Sequence, residues 1–452
     1  MNIVIAGSGK VGTTLALRLS SEGYDITLID NNHRVLETVC EQCDAMGVQG
    51  NCASMPVLQQ AGISDADLLI AATNEDEVNL LCCTTAHGIN PKLHTIGRIR
   101  NPDYTQQIHE LRNVFALSLA VNPEWQAAQE VERLLRFPGF LRRDTFAKGR
   151  TAIVELRVEA DSKLRGISLI QMNSIVKCKV LVCAVLRDGN AMIPSGHFVL
   201  EEGDRIFVTA PTSNLSTLLK NLDIVTRKVR KVLICGGSRV SRYLAEKLCK
   251  SNISVSLIER NYDRCAQLAA ALPDVTVVHG DATDQGLLES QGLADCDALV
   301  TMTGLDELNM IISLYGTGKG VPQVITKLGR AENRSISDEL ELGSVICPRE
   351  LCCDDIVRYV RAMEKQSGSA ISVHTIADGQ VEAIEFLVDK DTAHCGEALK
   401  SIKLRSGVLL ASITHGSVTE IPGGDSAFHV GDNIVVVTSG RGKLRQLNDI
   451  FA

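Results

Sequence analysis

The sequence predicts an α/β protein made of two Rossmann-like doubly wound parallel sheets, each followed by a small α+β lobe, and three observations predict it. The chain repeats itself: Ile3-Val4-Ile5-Ala6-Gly7-Ser8-Gly9-Lys10-Val11 matches Val232-Leu233-Ile234-Cys235-Gly236-Gly237-Ser238-Arg239-Val240 at an offset of 229. Such self-similarity fixes the architecture before any motif is read. The first part of each copy alternates apolar runs of strand length with helical periods, the βαβ signature. The second part is β-rich and broken by Asp-Gly, Pro-Ser-Gly and Glu-Gly-Asp turns, which marks a small module of short strands.

Taken in order, Ile3 to Ala6 is the first strand. The G-x-G-x-x-G of residues 7 to 12 follows at once and opens a helix with Val11, Leu15 and Leu19 on one face. In that context Gly7 permits the tight turn, Gly9 lets the backbone approach a pyrophosphate, and Gly12 lets the helix pack close to the strand. Ser8, Lys10 and Val11 complete a loop whose helix N-terminus offers free N–H groups and partial positive charge to an anion. Asp30 closes the second strand, Ile26 to Ile29, at 30 − 7 = 23 residues after the first glycine. There its carboxylate can accept hydrogen bonds from ribose hydroxyls. It would repel a 2′-phosphate, which favours NAD(H) or a simple adenine nucleotide over NADP(H).

Gly50-Asn51 after Val48, and Thr73-Asn74 after Leu68 to Ala72, fall where strand ends of such a sheet meet a ligand. Helix capping and turn formation are their competing roles. Arg98 and Arg100, at the end of the strand Thr95 to Ile99 and just beyond it, can reach phosphates as bidentate donors or pair with carboxylates.

Asn122-Pro123-Glu124-Trp125 then starts a crossover helix that runs to Phe137, where Pro138-Gly139 stops it. Short β-rich runs follow at Thr151 to Val158, Lys179 to Leu186 and Arg205 to Thr209. In the second half, Leu257-Ile258-Glu259 answers the strand that ends at Asp30, Gly280-Asp281 answers Gly50-Asn51, and Cys347-Pro348-Arg349-Glu350 starts the matching helix through Ala362. The β-rich parts repeat more weakly. Arg187-Asp188-Gly189-Asn190, Ile193-Pro194-Ser195-Gly196 and Glu202-Gly203-Asp204 parallel Thr414-His415-Gly416-Ser417, Ile421-Pro422-Gly423-Gly424 and Val430-Gly431-Asp432. The expected domains are 1–123, 140–226, 229–348 and 367–452.

The second glycine loop departs from the first. Gly236-Gly237-Ser238-Arg239-Val240-Ser241 has serine at the second and third glycine positions. Ser238 puts a Cβ where the backbone should approach phosphate. Arg239 can compensate electrostatically, and Glu259 and Asp281 keep the acidic and turn positions.

Composition excludes several classes. Lys+Arg number 46 against 54 Asp+Glu, a net charge of −8, and the basic residues form no long cluster, so a dedicated nucleic-acid binder is disfavoured. Hydrophobic content of 45% with 22% charged residues describes a globular chain. No run approaches the roughly 18 apolar residues of a spanning helix, and no export signal is visible. Fifteen scattered cysteines suggest a reducing cytoplasm. Cys40 and Cys43 form a C-x-x-C, but no second pair follows to complete a zinc module, and the adjacent pairs Cys82-Cys83 and Cys352-Cys353 read as buried small hydrophobes. His33, His87, His94 and His109 lack a spaced acidic or Cys companion, and no G-x-S-x-G, H-E-x-x-H or Gly-Lys-Ser/Thr P-loop ending is present. No catalytic residue and no metal ligand is therefore expected.

Several strings together resemble the family of two-unit RCK (KTN) proteins that serve as cytoplasmic regulatory subunits of bacterial Trk potassium-uptake systems. They are Gly7-Ser8-Gly9-Lys10-Val11-Gly12 with Asp30, Val48-Gln49-Gly50, Arg98-Ile99-Arg100-Asn101-Pro102-Asp103-Tyr104 and Arg133-Leu134-Leu135-Arg136-Phe137-Pro138-Gly139. The last two are the more specific, because generic Rossmann domains do not need them. The resemblance implies a regulator rather than an enzyme, assembled as a homotetrameric ring of RCK units. It implies docking on a TrkH- or TrkG-type channel subunit at the cytoplasmic face of the membrane, with membrane contact only through that partner. It implies NAD(H), ATP and ADP as ligands, with Gly7 to Val11, Asp30, Thr73, Asn74 and Arg98 forming the first site. A soluble NAD-dependent oxidoreductase is the alternative and needs an acid or base beside the nicotinamide. A redox-sensing repressor needs a helix-turn-helix and a basic face.

Overall fold

The structure, a computed structural model, describes residues 1–136, 140–224, 228–330, 340, 342–363, 370–439, 444 and 446–452. Phe137, Pro138 and Gly139, expected to end the crossover helix, and positions 226 and 367, expected as lobe limits, lie outside the described residues. Contacts divide the chain into two units. One holds Met1–Glu130, Ser238–Lys247 and Cys347–Val357, and the other holds Val131–Gly237, Leu248–Ile346 and Arg358–Ala452.

The first unit is built on six parallel strands: β1 (Asn2–Ala6), β2 (Asp25–Asp30), β3 (Ala45–Gln49), β4 (Leu68–Ala71), β5 (His94–Arg98) and β6 (Leu119–Val121). Their order is β3-β2-β1-β4-β5-β6. β1 and β4 are apolar without alternation because the sheet is covered on both faces, as parallel strands require. The helix Lys10–Ser21 turns Val11, Leu15, Ala16 and Leu19 inward at helical spacing. The helix Asp76–Ile89 buries Leu80, Cys82, Cys83 and Ala86 in the same core as Ile29, Leu69 and Ile99. Strand order reverses between β1 and β4, and ligands of such sheets bind at that switch point.

The segments from the second half brace this unit. Asn122 Nδ2 donates to the Tyr243 hydroxyl at 3.0 Å, and that hydroxyl donates to the carbonyl of Arg100 at 3.2 Å. Arg18 pairs with Asp354 at 2.7 Å, and Gln126 donates to Asp355.

The second unit holds three sheets. β7 (Arg142–Phe146), β8 (Thr151–Arg157), β9 (Leu181–Arg187), β10 (Asn190–Met192) and β11 (Arg205–Pro211) form an antiparallel sheet in the order β10-β9-β11-β8-β7. β12 (Lys231–Cys235), β13 (Ser254–Glu259), β14 (Thr276–His279), β15 (Ala298–Thr301), β16 (Gln323–Lys327) and β17 (Ser344–Ile346) repeat the parallel topology as β14-β13-β12-β15-β16-β17. β18 (Ala370–Ile376), β19 (Val381–Leu387), β20 (Val408–His415), β21 (Val418–Glu420) and β22 (Asn433–Thr438) form the second antiparallel sheet, β18-β19-β22-β20-β21. The expected helices are present as Pro123–Arg136 and Pro348–Met363, each opening on proline. Among the described residues no helix is long and apolar enough to cross a membrane.

The register of the β-rich repeat differs from its sequence reading by one residue at the hairpin. Arg187 pairs across its turn with Asn190, and His415 pairs with Val418, so Arg187 corresponds to His415 and not to Thr414. The offset of 228 then holds through Asp204 and Asp432. Turn length sets hairpin register, and a short Gly-containing turn leaves that length ambiguous in sequence.

The two antiparallel sheets share an apolar core in which Phe146, Ile153, Cys183 and Phe207 meet Ile376, Val381, Ala383 and Val435. Several buried polar groups pair within and across the two sheets. Arg205 Nε donates to Glu155 at 2.5 Å and its Nη1 to Asp378 at 3.0 Å, while the Ala147 N–H donates to Glu385 at 3.1 Å. Asp144 lies 2.8 Å from Arg142 and 3.1 Å from His374. Burial alone would raise its pKa, but the Arg142 guanidinium and His374 outweigh it and hold the carboxyl well below the usual range. A depressed carboxylate stabilises the fold above its unfolded value of about 3.9 and loses that contribution as pH falls through the folded value. Asp144→Asn is therefore expected to flatten the stability profile below about pH 4, read from denaturant midpoints against pH. A slope identical to wild type there would contradict this.

Candidate functional site

The ends of β1, β2, β4 and β5 converge on the glycine loop. Gly7 has a left-handed φ of +98°, and a Cβ there would lie 3.0 Å from the Thr73 backbone, so the turn requires glycine. Its N–H donates to the Ile29 carbonyl at 2.8 Å. Gly12 is excluded from bearing a side chain for a different reason: its Cβ would meet the Gly7 carbonyl oxygen at 1.8 Å. The third glycine thus lets the helix approach the loop itself, more than the strand. Gly9 is the reverse case. It caps the helix Lys10–Ser21 at a φ of −72°, no side chain caps the helix there, and a Cβ built on it meets nothing within 4 Å. That leaves open space over free N–H groups, where an anion fits. Lys10 is exposed there, and Val11 packs into the core.

Asp30 holds this loop closed. Its Oδ2 accepts from the Ser8 N–H at 2.6 Å and its Oδ1 from the Asn32 N–H at 2.8 Å. A carboxylate offers about four acceptor sites, so two remain for ribose hydroxyls. Asn51 forms a turn, accepting from Ala53 N–H at 3.0 Å, and Gly50 sits with φ +157° against Val57. For these two the turn role expected as an alternative is the one the structure displays.

The β4 and β5 ends are tied together by a residue the sequence reading passed over. Asn79, fully buried, accepts from Thr73 N–H at 2.9 Å and Thr73 Oγ1 at 2.7 Å, and donates to the Arg98 carbonyl at 2.8 Å. Arg98 Nη2 donates to the Thr73 carbonyl at 2.6 Å and to Asn74 Oδ1 at 3.2 Å. Arg100, by contrast, belongs to Asp76, whose carboxylate lies 3.6 Å from its Nε and accepts the Arg100 backbone N–H at 2.7 Å. Arg100 Nη2 also donates to the Asn74 carbonyl, so the two arginines share Asn74 and differ in that, among the described residues, Arg100 has a carboxylate partner and Arg98 has none. Burial, with Arg100 adding repulsion, lowers the pKa of Arg98, the signature of a guanidinium that an anion would stabilise. Arg98 Nε and Ser8 Oγ are buried with no hydrogen-bond partner among the described residues. Orphaned donors and an uncrowded helix N-terminus are what a dinucleotide phosphate fits.

The second copy repeats the frame and alters the loop. In the second unit, Gly236 (φ +101°) donates to Ile258 at 2.8 Å, and Gly237 N–H donates to Glu259 at 2.6 Å, as Gly7 and Ser8 do. Thr303 hangs on Asn309 at 2.8 Å, and Lys327 Nζ donates to the Thr303 carbonyl at 2.7 Å in the manner of Arg98. Asp281 accepts from Thr283 N–H at 2.9 Å in a turn, a bond that lowers its pKa. Ser238, Arg239 and Val240 belong to the first unit. There Ser238 Oγ accepts the Ser241 N–H at 3.2 Å and lies 2.9 Å from the Ser241 hydroxyl. The helix is capped by its own serine, which satisfies an N–H that a phosphate would otherwise take. Arg239 is exposed and Val240 buried.

Of the histidines set aside for want of a spaced acid, His33 has one after all: Glu37, one helical turn on, at 3.3 Å. Both are exposed, a surface pair of small energetic consequence. All fifteen cysteines are free. Burial pushes the thiols of Cys83, Cys183, Cys235 and Cys353 up to about 12 and that of Cys296 to about 11. It also raises Cys40 and Cys43, the opposite of a reactive C-x-x-C pair. Native alkylation at neutral pH is expected to label exposed Cys395 first and to spare those five buried thiols until denaturant is added, as peptide mass spectrometry would show. Early labelling of Cys83 or Cys235 would refute this.

The family model described as the TrkA-N domain matches residues 3–122 and 232–348, and the TrkA-C domain model matches 153–223 and 383–452. The chain is 30% identical over 456 residues to the Trk system potassium uptake protein TrkA of Halomonas elongata, covering 100% of this chain and 98% of that protein. It is 30% identical over 451 residues to a TrkA homolog of Archaeoglobus fulgidus, covering all of both. Among solved structures, the GsuK channel bound to NAD superposes with a TM-score of 0.62 at 18% identity, covering 98% of this chain and 77% of that one. The GsuK RCK domain gives 0.62 at 17% identity, covering 98% and 93%. At these identities the structural likeness is one of fold.

Proposed function

This chain belongs to the TrkA family, and from that premise we propose that it is the nucleotide-sensing regulatory subunit of a Trk-type potassium-uptake system. In this reading it lies in the cytoplasm, assembles as a homotetrameric ring, and docks on a TrkH- or TrkG-type channel subunit, which is its sole contact with the membrane. We take its lobes as 1–123, 140–226, 229–348 and 367–452. It is a regulator and not an enzyme. The observation that carries the reading is the open helix N-terminus at Gly9, flanked by a buried arginine that makes no ion pair among the described residues and by an acidic strand end.

The ligand is NAD(H), with ATP and ADP as further occupants. The GsuK channel has been solved with NAD and with ADP, which supports that choice. Backbone N–H groups of Gly9 to Val11 would take the phosphates, Arg98 would add a charged donor, Asp30 would accept from ribose hydroxyls, and Thr73 and Asn74 would border the site. Asp30, at the end of β2, already accepts from two backbone amides, which ties it to the loop.

Gating follows as a population shift. A ligand moves the ring between flux-permitting and flux-closing shapes only by the difference in its affinity for the two, about 2.7 kcal/mol for a hundred-fold preference. The route out of the site is short: Tyr243 holds the carbonyl of Arg100, two residues past Arg98. Calorimetric titration of the full chain with NADH, NAD⁺, ATP and ADP tests the reading. It expects one tight site per chain at the first lobe, and a weaker second event that strengthens in Ser238→Gly. Absence of binding at millimolar ligand would overturn it.

A further inference from the structure

We propose that the second antiparallel lobe carries a binding site for a divalent transition metal, formed by His415, His429 and Asp432. One ring nitrogen from each histidine and one carboxylate oxygen lie within 4.8 Å of one another. His415 ends β20, and Asp432 stands just before β22, its neighbour in the sheet. His415 Nδ1 is 2.7 Å from Asp432 Oδ2, and His429 Nδ1 is 3.9 Å from the same oxygen.

The first lobe carries an ion-pair cluster at the corresponding position. At an offset of 228, Arg187, Glu201 and Asp204 occupy the same three places. There the carboxylate, 1% exposed, is held by Arg187 through Nε at 2.7 Å and Nη2 at 2.8 Å, and Glu201 accepts from Nη1 at 2.9 Å. The guanidinium also lies 4.7 Å from the centroid of the Phe198 ring. The turn itself is the same in both lobes: Glu201 N–H donates to Asp204 at 2.8 Å, and His429 N–H donates to Asp432 at 2.7 Å.

Three changes then go together in the second lobe. The guanidinium becomes the imidazole of His415, its second carboxylate becomes the imidazole of His429, and the ring it lies against becomes Ser426. A built-in cation that cannot ligate a metal has been exchanged for two side chains that can, around an unchanged buried carboxylate. Two imidazoles and one carboxylate suit Zn²⁺, Ni²⁺ or Co²⁺, while Ca²⁺ and Mg²⁺ call for oxygen donors. Bonds of about 2.0–2.1 Å set ligand atoms roughly 3.3 Å apart, and the partly exposed imidazoles can rotate to that spacing. His429 is 64% exposed, which leaves room for water as a further ligand. The His429 backbone N–H on Asp432 supplies the outer hydrogen bond that orients a ligating carboxylate. Such a metal would fasten the end of β20 to the turn that enters β22.

The test is Zn²⁺ titration of the full chain against a competing chromophoric chelator, with Co²⁺ spectra to identify the ligands, since fifteen free cysteines could also bind metal. The wild type is expected to bind one equivalent. His415→Arg/His429→Glu, which restores the first lobe's charged groups though not its Phe198 ring, should lose it while keeping the metal-free melting temperature. His429→Ala, at an exposed position, should weaken it by about a hundred-fold even if the double variant folds poorly. Co²⁺ bound at the site should show ligand-field bands without thiolate charge transfer. Equal binding in wild type and His429→Ala, thiolate bands for that equivalent, or no binding at micromolar Zn²⁺ would each overturn the proposal.

Discussion

Gly9→Asp is expected to remove nucleotide binding at the first site while leaving the protein folded. The backbone at Gly9 has φ −72°, which any residue adopts, and a Cβ there meets no atom within 4 Å. Aspartate is moreover a preferred N-cap, so the helix Lys10–Ser21 should gain slightly in stability. Its carboxylate stands where the phosphate must lie. Two unit charges 4 Å apart at an effective dielectric of 20 repel by about 4 kcal/mol, roughly a thousand-fold in affinity. Calorimetry should read that loss with an unchanged or slightly raised melting temperature. Gly12→Val is the contrasting variant. Its side chain would drive into the Gly7 carbonyl, so stability and binding should fall together, by about 1–3 kcal/mol or more in folding. If Gly9→Asp binds NADH as wild type does, the loop is only a turn.

Arg205→Met is expected to destabilise the second unit by about 3–5 kcal/mol, the cost of leaving a buried carboxylate without its cation. Glu155 is 3% exposed and has Arg205 at 2.5 Å, and the same guanidinium reaches Asp378 at 3.0 Å. Glu155 is on β8 and Asp378 follows β18, so the one arginine joins the two antiparallel sheets. Replacing both members, as in Arg205→Met/Glu155→Met, should recover most of the loss, because an apolar pair leaves no orphaned charge. Urea denaturation read by circular dichroism measures both variants. A single variant as stable as wild type would mean that solvent reaches Glu155.

Much of this was legible in sequence because it is local. The glycine loop, its strand and the acid at Asp30 are fixed by spacing, and the alternation of apolar runs with helical periods is fixed by burial on both sheet faces. What escaped depends on pairings between distant residues. Nothing in the string Arg98-Ile99-Arg100 says which arginine belongs to Asp76, and that pairing decides which guanidinium is left for a ligand. Asn79 sits within a helix and looks in the string like any helical polar residue, because its role is to bond backbone groups at the ends of two neighbouring strands. Ser238 stood out as a departure, but its capture of the Ser241 N–H needs the helix in three dimensions. His415, His429 and Asp432 became a constellation only once hairpin register moved His415 opposite the place of Arg187.

The most direct test of the central claim is potassium flux through proteoliposomes that hold a TrkH-type subunit, measured with this protein added and NADH, NAD⁺, ATP or ADP varied. The account predicts that at least one nucleotide changes the flux in a saturable manner, and that Gly9→Asp protein, although still docked, gives a flux insensitive to it. Flux that is the same with and without nucleotide, from wild-type protein shown by calorimetry to have it bound, would contradict the account.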